Sequence, residues 1–86
     1  MLNIVFSEKF ISQFELLDPK IQNSTVKKID IFKSNPKHSS LKTHKLHGVL
    51  ANYFSFSIDH TIRIVFEYGK KDTVHFLKIG NHDVYR

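Results

Sequence analysis

Between residues 8 and 34 the large apolar side chains recur every three or four positions, and from Asn52 onward they recur every second position. A helix returns to the same face after 3.6 residues and a strand after two, so the chain must carry helices first and a sheet afterwards. Neither element can bury its apolar face alone, which places them side by side around one core. Ser7 offers a helix N-cap with Glu8 in the first turn, and Phe10, Phe14 and Leu17, widened by Ile11, form one stripe. Asp18-Pro19 ends that helix and begins another, because aspartate caps and proline suits the first helical position. Ile21, Val26, Ile29 and Phe32 are the apolar face of the second helix, while Lys20, Lys27, Lys28 and Lys33 are free to face water. Asn35-Pro36 closes it, since the residue before proline avoids helical geometry.

A short run of β-formers, Leu2 to Phe6, precedes the helices. Lys37 to Ala51 has no clean period and reads as a loop. Phe54, Phe56 and Ile58 then alternate with Tyr53, Ser55 and Ser57, Asp59-His60 makes a turn, and Thr61 to Tyr68 alternates again. Gly69 to Asp72 is a second turn, Thr73 to Ile79 a further strand, and Gly80 to Arg86 a short tail. The expected fold is α+β, a helical hairpin packed on one face of a mostly antiparallel four-stranded sheet in the order β-α-α-β-β-β, as one domain over residues 1–86. The face without helices is then available for binding.

Eighty-six residues hold one core and no deep cleft between lobes, so a site must lie on an open surface. Eight Phe and three Tyr supply the apolar area that a small core needs without a disulfide or metal clamp. No cysteine is present, which excludes a disulfide scaffold and points to a reducing compartment. The first residues do not form a signal peptide and no stretch reaches the length of a membrane span, so a cytoplasmic protein with no membrane partner is expected. The formal charge of +5 is uneven: residues 1–36 carry five Lys against four acids, whereas residues 37–86 carry eight Lys or Arg against four acids, together with all six His. That excess either meets a polyanion such as nucleic acid, on the second half of the chain, or serves solubility alone.

Arg63 interrupts the apolar strand Ile62-Arg63-Ile64-Val65-Phe66 and lies on the face opposite Ile62, Ile64 and Phe66. Its fork of donors suits a phosphate, and a structural pair with Glu67 on the same face is the alternative. His82 follows Gly80-Asn81 at the end of the last strand, where a group that exchanges protons near neutral pH is held at the sheet rim yet stays accessible. Asp83 adjoins it and Tyr85 follows, and a basic loop, Lys42-Thr43-His44-Lys45-Leu46-His47-Gly48, adds two more histidines. His44 and His47 lack the helical spacing, cysteines or acidic cluster that would complete a metal site, so neither metal nor cofactor is expected. His38 and His75 are assigned no role, and His60 lies in the turn.

Four segments, His44-Lys45-Leu46-His47-Gly48, Tyr53 to Ile58, Ile62 to Phe66 and Phe76 to Tyr85, together resemble the RelE/StbE superfamily of type II toxins, nearest its YafQ-like branch. The resemblance spans the whole chain by element order and about the last 45 residues by motif. It implies a RelE-like fold and a ribosome-dependent messenger-RNA endoribonuclease silenced by a cognate antitoxin, with operator DNA met only through the antitoxin complex. It also implies that His44 and His82 make the cut, that Arg63 contacts the scissile phosphate and that Tyr85 positions RNA. The sequence departs from that branch at the positions of an additional His and Asp, which fall near Ser57 and Thr61, so those roles are missing or shifted to Asp59 and His60. The tail is one residue shorter before its tyrosine. Metal-free RNA cleavage needs a base for the 2′-hydroxyl, a cation at the phosphate and an acid for the leaving 5′-oxygen, and His44, Arg63 and His82 are residues of those types. Lys42, Lys45 and His60 would add RNA contacts, and Tyr85 could stack on an unpaired base. Two other readings share the fold, a ParE-like toxin that inhibits a topoisomerase and cuts nothing, and a degenerate toxin that only binds its antitoxin.

Overall fold

The caps read from the sequence set the helices. In a computed structural model, described for residues 1–85, the Ser7 hydroxyl accepts from the Phe10 amide at 3.0 Å and the Asp18 carboxylate accepts from the Lys20 amide at 2.8 Å. They begin α1 (Glu8–Glu15) and α2 (Pro19–Ser34). The strands are β1 (Asn3–Phe6), β2 (His44–Lys45), β3 (Phe54–Ser57), β4 (Arg63–Tyr68) and β5 (Thr73–Gly80), with 3-10 turns at Ser39–Leu41, Gly48–Leu50 and His82–Tyr85. Arg86, the last residue of the expected tail, lies outside the described residues. The sheet order is β1-β5-β4-β3-β2, antiparallel except where β1 runs parallel to β5.

The sheet has five strands rather than four. The additional one is β2, inside the segment expected to be a loop: His44 pairs with Ser55, Lys45 with Phe54, and the Leu46 amide donates to the Tyr53 carbonyl at 2.9 Å. Two residues are too short to show a period, so only the partner strand reveals them.

Phe10, Ile29 and Phe32 of the helices meet Phe56, Ile64, Phe66, Val74, Phe76 and Ile79 of the sheet. Phe32 is the hub, with ring centroids 4.7 Å from Phe56, 4.9 Å from Phe66 and 5.4 Å from Phe76. Burying each such ring contributes about 1.5–3 kcal/mol, and each ring pair about 0.5–1.5 kcal/mol more. The α2 stripe differs from expectation at one position: Val26 is 51% exposed and Thr25, at 0%, takes the buried place. Positions 21, 25, 29 and 32 keep the helical spacing, and the Thr25 hydroxyl is satisfied by the Ile21 carbonyl at 2.7 Å, so its burial leaves no lone polar group. Ile11 is likewise exposed, on the lip of an apolar groove it shares with Phe6, Phe14 and Val26.

A bulge directs the tail. Val65 faces Lys78 but Phe66 faces Phe76, so Leu77 is an extra residue in β5. The Ser7 hydroxyl donates to the Leu77 carbonyl at 2.8 Å and the Gln13 side chain accepts from the Ile79 amide at 2.9 Å, which ties the irregular stretch to α1. The extra residue reverses the alternation, so Ile79 joins Val74 and Phe76 in the core while Lys78 moves to the other face. That other face is not wholly open, as the sequence suggested. Leu46, Val65 and Val84 form a second small cluster there, flanked by Leu50, Tyr53 and Tyr85. Gly80 permits it, because a Cβ at this position would meet Val84 Cγ1 at 2.9 Å. No helix among the described residues is long and apolar enough to cross a membrane.

Candidate active site

Cross-strand partners share a face of the sheet, so the register assembles one surface from three strands. His44 lies opposite Ser55, Ser55 opposite Val65, and Ser57 opposite Arg63, all on the face away from the helices. Arg63 in turn lies opposite Gly80, against which Val84 packs. From there the tail folds back and brings His82 and Tyr85 over the same surface.

Tyr85 is the junction. Its hydroxyl is 2.9 Å from the Ser55 hydroxyl and accepts from Arg63 Nη1 at 3.4 Å. A guanidinium only donates, so the tyrosine proton is free for Ser55 Oγ. The Arg63 Cζ lies 5.6 Å from the centre of the Tyr85 ring, and the His82 ring packs edge-on against it with centroids 5.9 Å apart. Arg63 Nη2 donates to the His60 carbonyl at 3.3 Å. Both guanidinium bonds are long and end on neutral oxygens, and Nε is buried with no partner among the described residues. The alternative pair with Glu67 does not form, since Glu67 lies at the far end of β4 opposite His75. Among the described residues no carboxylate is paired with the guanidinium, and Asp59 acts on it only as a nearby charge.

His44 is exposed, and its Nδ1 lies 3.0 Å from the Lys42 carbonyl. A carbonyl accepts, so Nδ1 carries the proton and in the neutral ring Nε2 holds the free lone pair. Lys42 reaches this position in the left-handed region, at φ 52° and ψ 43°. Lys45 departs from the group: its register partner is Phe54, which packs toward the helices, so alternation sends the lysine to the opposite face from His44. Tyr85 is half-buried with its hydroxyl engaged, which makes it a support for Arg63 and His82 rather than a free stacking platform.

His60 lies in the β3–β4 turn, where Asp59 accepts from the Thr61 amide at 2.8 Å and the Ile62 amide at 2.7 Å. Those bonds, the Ile62 one foremost, hold the Asp59 carboxyl below its ordinary value, with smaller help from the nearby His60 and Arg63 charges. Asp59 thus works as the clasp of the turn that fixes the start of β4.

Two residues in or beside this site have no mark in the sequence. Ser55 reads as one polar residue of an alternating strand, and only the folded tail shows that it anchors Tyr85. Lys28, expected to face water, is half-buried and its Nζ reaches the Ser40 carbonyl at 3.2 Å, beside Lys42 and Arg63. Its place next to buried Ile29 is a faint signal at most. Among the described residues no group of three or more His, Asp or Glu gathers as a metal site.

No protein-family model matches the chain, and no curated protein matches it in sequence. Its structure does have relatives. A YoeB/ParE toxin from Agrobacterium tumefaciens superposes with a TM-score of 0.80 at 20% identity, over 94% of this chain and 99% of that one. YafQ from E. coli strain BL21(DE3) gives 0.79 at 16% identity, over 99% and 98%. A chain of the toxin-antitoxin complex RelBE2 from Mycobacterium tuberculosis gives 0.77 at 20% identity, over 94% and 98%. The chain has the RelE/YoeB/YafQ-like toxin fold.

Proposed function

We propose that this chain is the toxin of a type II toxin-antitoxin pair and cuts messenger RNA on the ribosome, in the cytoplasm, until a cognate antitoxin binds it. One observation carries the reading: a half-buried guanidinium without a paired carboxylate, held at the start of β4 on the face away from the helices by two neutral oxygens, with a histidine against the same tyrosine that supports it. A structural arginine would have spent its charge. The resemblance of the last 45 residues and the fold shared with YoeB, YafQ and RelBE2 support the same conclusion.

In this mechanism one histidine takes the proton of the 2′-hydroxyl, and the oxygen attacks the adjacent phosphorus. The 2′,3′-cyclic phosphate forms as the bond to the 5′-oxygen breaks, and the other histidine gives that oxygen a proton. Arg63 stabilises the charge that builds on the non-bridging oxygens. His44 suits the base, because its Nδ1–H is committed to the Lys42 carbonyl, which leaves Nε2 of the neutral ring as the acceptor. His82, exposed on the tail, suits the acid. The whole chain acts as one domain, and operator DNA is met only through the antitoxin complex.

General acid or base catalysis by one side chain contributes about 10²–10⁴-fold. His82→Ala is therefore expected to lower cleavage of ribosome-bound messenger RNA by about that factor and to abolish growth arrest, with the fold intact by circular dichroism. A fully toxic, fully cutting His82→Ala protein would overturn the assignment. Inhibition of gyrase supercoiling with no RNA cut would replace it with the ParE-like reading.

A further inference from the structure

The geometry points to a second phosphate subsite for single-stranded RNA, in the cleft between α2, the Ser39–Leu41 turn and the β3–β4 turn, with Lys28 and Lys42 as its cations. It rests on the RNA-cutting reading and extends it by one nucleotide. The cleft encloses about 360 Å³, and Lys28, Ser40, Lys42, Asp59, His60 and Arg63 line it. Three fixed cations face one carboxylate there, a balance of 3 − 1 = +2, and that carboxylate is already engaged by the amides of Thr61 and Ile62.

Three features make the cleft more than a basic surface. Lys28 rises from the middle of a 16-residue helix, and its bond to the Ser40 carbonyl holds it across the cleft rather than loose in water. Less side-chain entropy is then lost when an anion arrives. Lys42 occupies a left-handed backbone position that glycine takes at no steric cost, and a lysine there delivers an ammonium group to the cleft wall. Arg63 joins the cleft to the chemistry: Nη2 lies on the His60 side and Nη1 on the side of Tyr85 and His82. A phosphodiester strand with its scissile phosphate at Arg63 has to continue past one end of the guanidinium, and the end at His60 opens into the cleft. That continuity favours RNA over an acidic protein segment as the occupant.

The test uses the full chain and a short oligoribonucleotide made uncleavable by 2′-O-methylation, with binding followed by fluorescence anisotropy over a range of salt. Each lysine that neutralises a phosphate contributes about 0.7 to the slope of log affinity against log salt for a single strand. Lys28→Gln and Lys42→Gln are each expected to lower the slope by that amount and to weaken binding severalfold near physiological salt, while Lys28→Arg restores both. Circular dichroism checks that each variant is folded. Glutamine variants with wild-type affinity and slope would overturn the subsite, whatever becomes of the nuclease reading. A protein whose lysine-dependent binding is as expected but which cuts no RNA would leave the subsite and overturn the nuclease reading. An unchanged RNA slope with weakened capture of an acidic peptide would give the cleft to a protein partner and overturn the proposal.

Discussion

Removing one oxygen from Tyr85 tests how the candidate site is held. Tyr85→Phe keeps the ring, and with it the packing against Val65 and Val84 and the contact with Arg63, but deletes the hydroxyl. Ser55, only 1% exposed, then loses the partner its Oγ had at 2.9 Å. A buried hydroxyl left without a partner costs about 1–3 kcal/mol. The bond from Arg63 is long at 3.4 Å and adds little, so a total of about 1–2 kcal/mol is expected. For a domain of this size that lowers Tm by roughly 4–16 °C, read by thermal unfolding. Adding Ser55→Ala removes the orphaned group, so the double variant should lose less than the sum of the single ones, with a coupling of about 0.5–1.5 kcal/mol. A Tyr85→Phe protein that melts with the wild type, or single effects that simply add, would refute the junction.

Three further outcomes follow from the same contacts. Phe32→Ala should cost about 3–5 kcal/mol in a urea melt, a large share of what a domain this small has, whereas Val26→Ala, half-exposed on the same helix, should stay within about 0.5 kcal/mol; similar losses at both would mean that α2 is rotated. Lys42→Gly relieves the left-handed residue, so stability should hold or rise by up to about 1 kcal/mol while RNA affinity falls; a destabilised variant would count against the backbone geometry. The lowered Asp59 value means that the folded state binds this proton less readily than the unfolded chain. Its contribution is complete above the ordinary value of 3.8 and disappears as pH falls through the lower folded value. Asp59→Asn should therefore show a shallower loss of Tm below about pH 5 than the wild type, and parallel acid limbs would contradict this.

Local physics made much of the fold legible in the chain. Ser7 and Asp18-Pro19 stop and start helices through atoms within three residues, and those caps form. Strand alternation from Phe54 to Phe66 places Arg63 opposite the core for the same reason, since side-chain direction follows from neighbours alone. The clasp at Asp59 also lies within its own turn.

What only the tertiary structure decided depends on partners far along the chain. β2 exists because Ser55 and Phe54 pair with it, so neither its two residues nor the separation of His44 from Lys45 onto opposite faces can be read locally. Thr25 instead of Val26 enters the core because the angle at which α2 meets the sheet selects among neighbouring positions of one stripe. The bulge at Leu77 rests on contacts from Ser7 and Gln13, more than 60 residues away, and it turns the tail so that Tyr85 binds Ser55 and supports Arg63. The sequence alone names residues whose types suit acid, base and phosphate chemistry. Whether they share a surface is a matter of register and closure, and those belong to pairings that no stretch of sequence contains by itself.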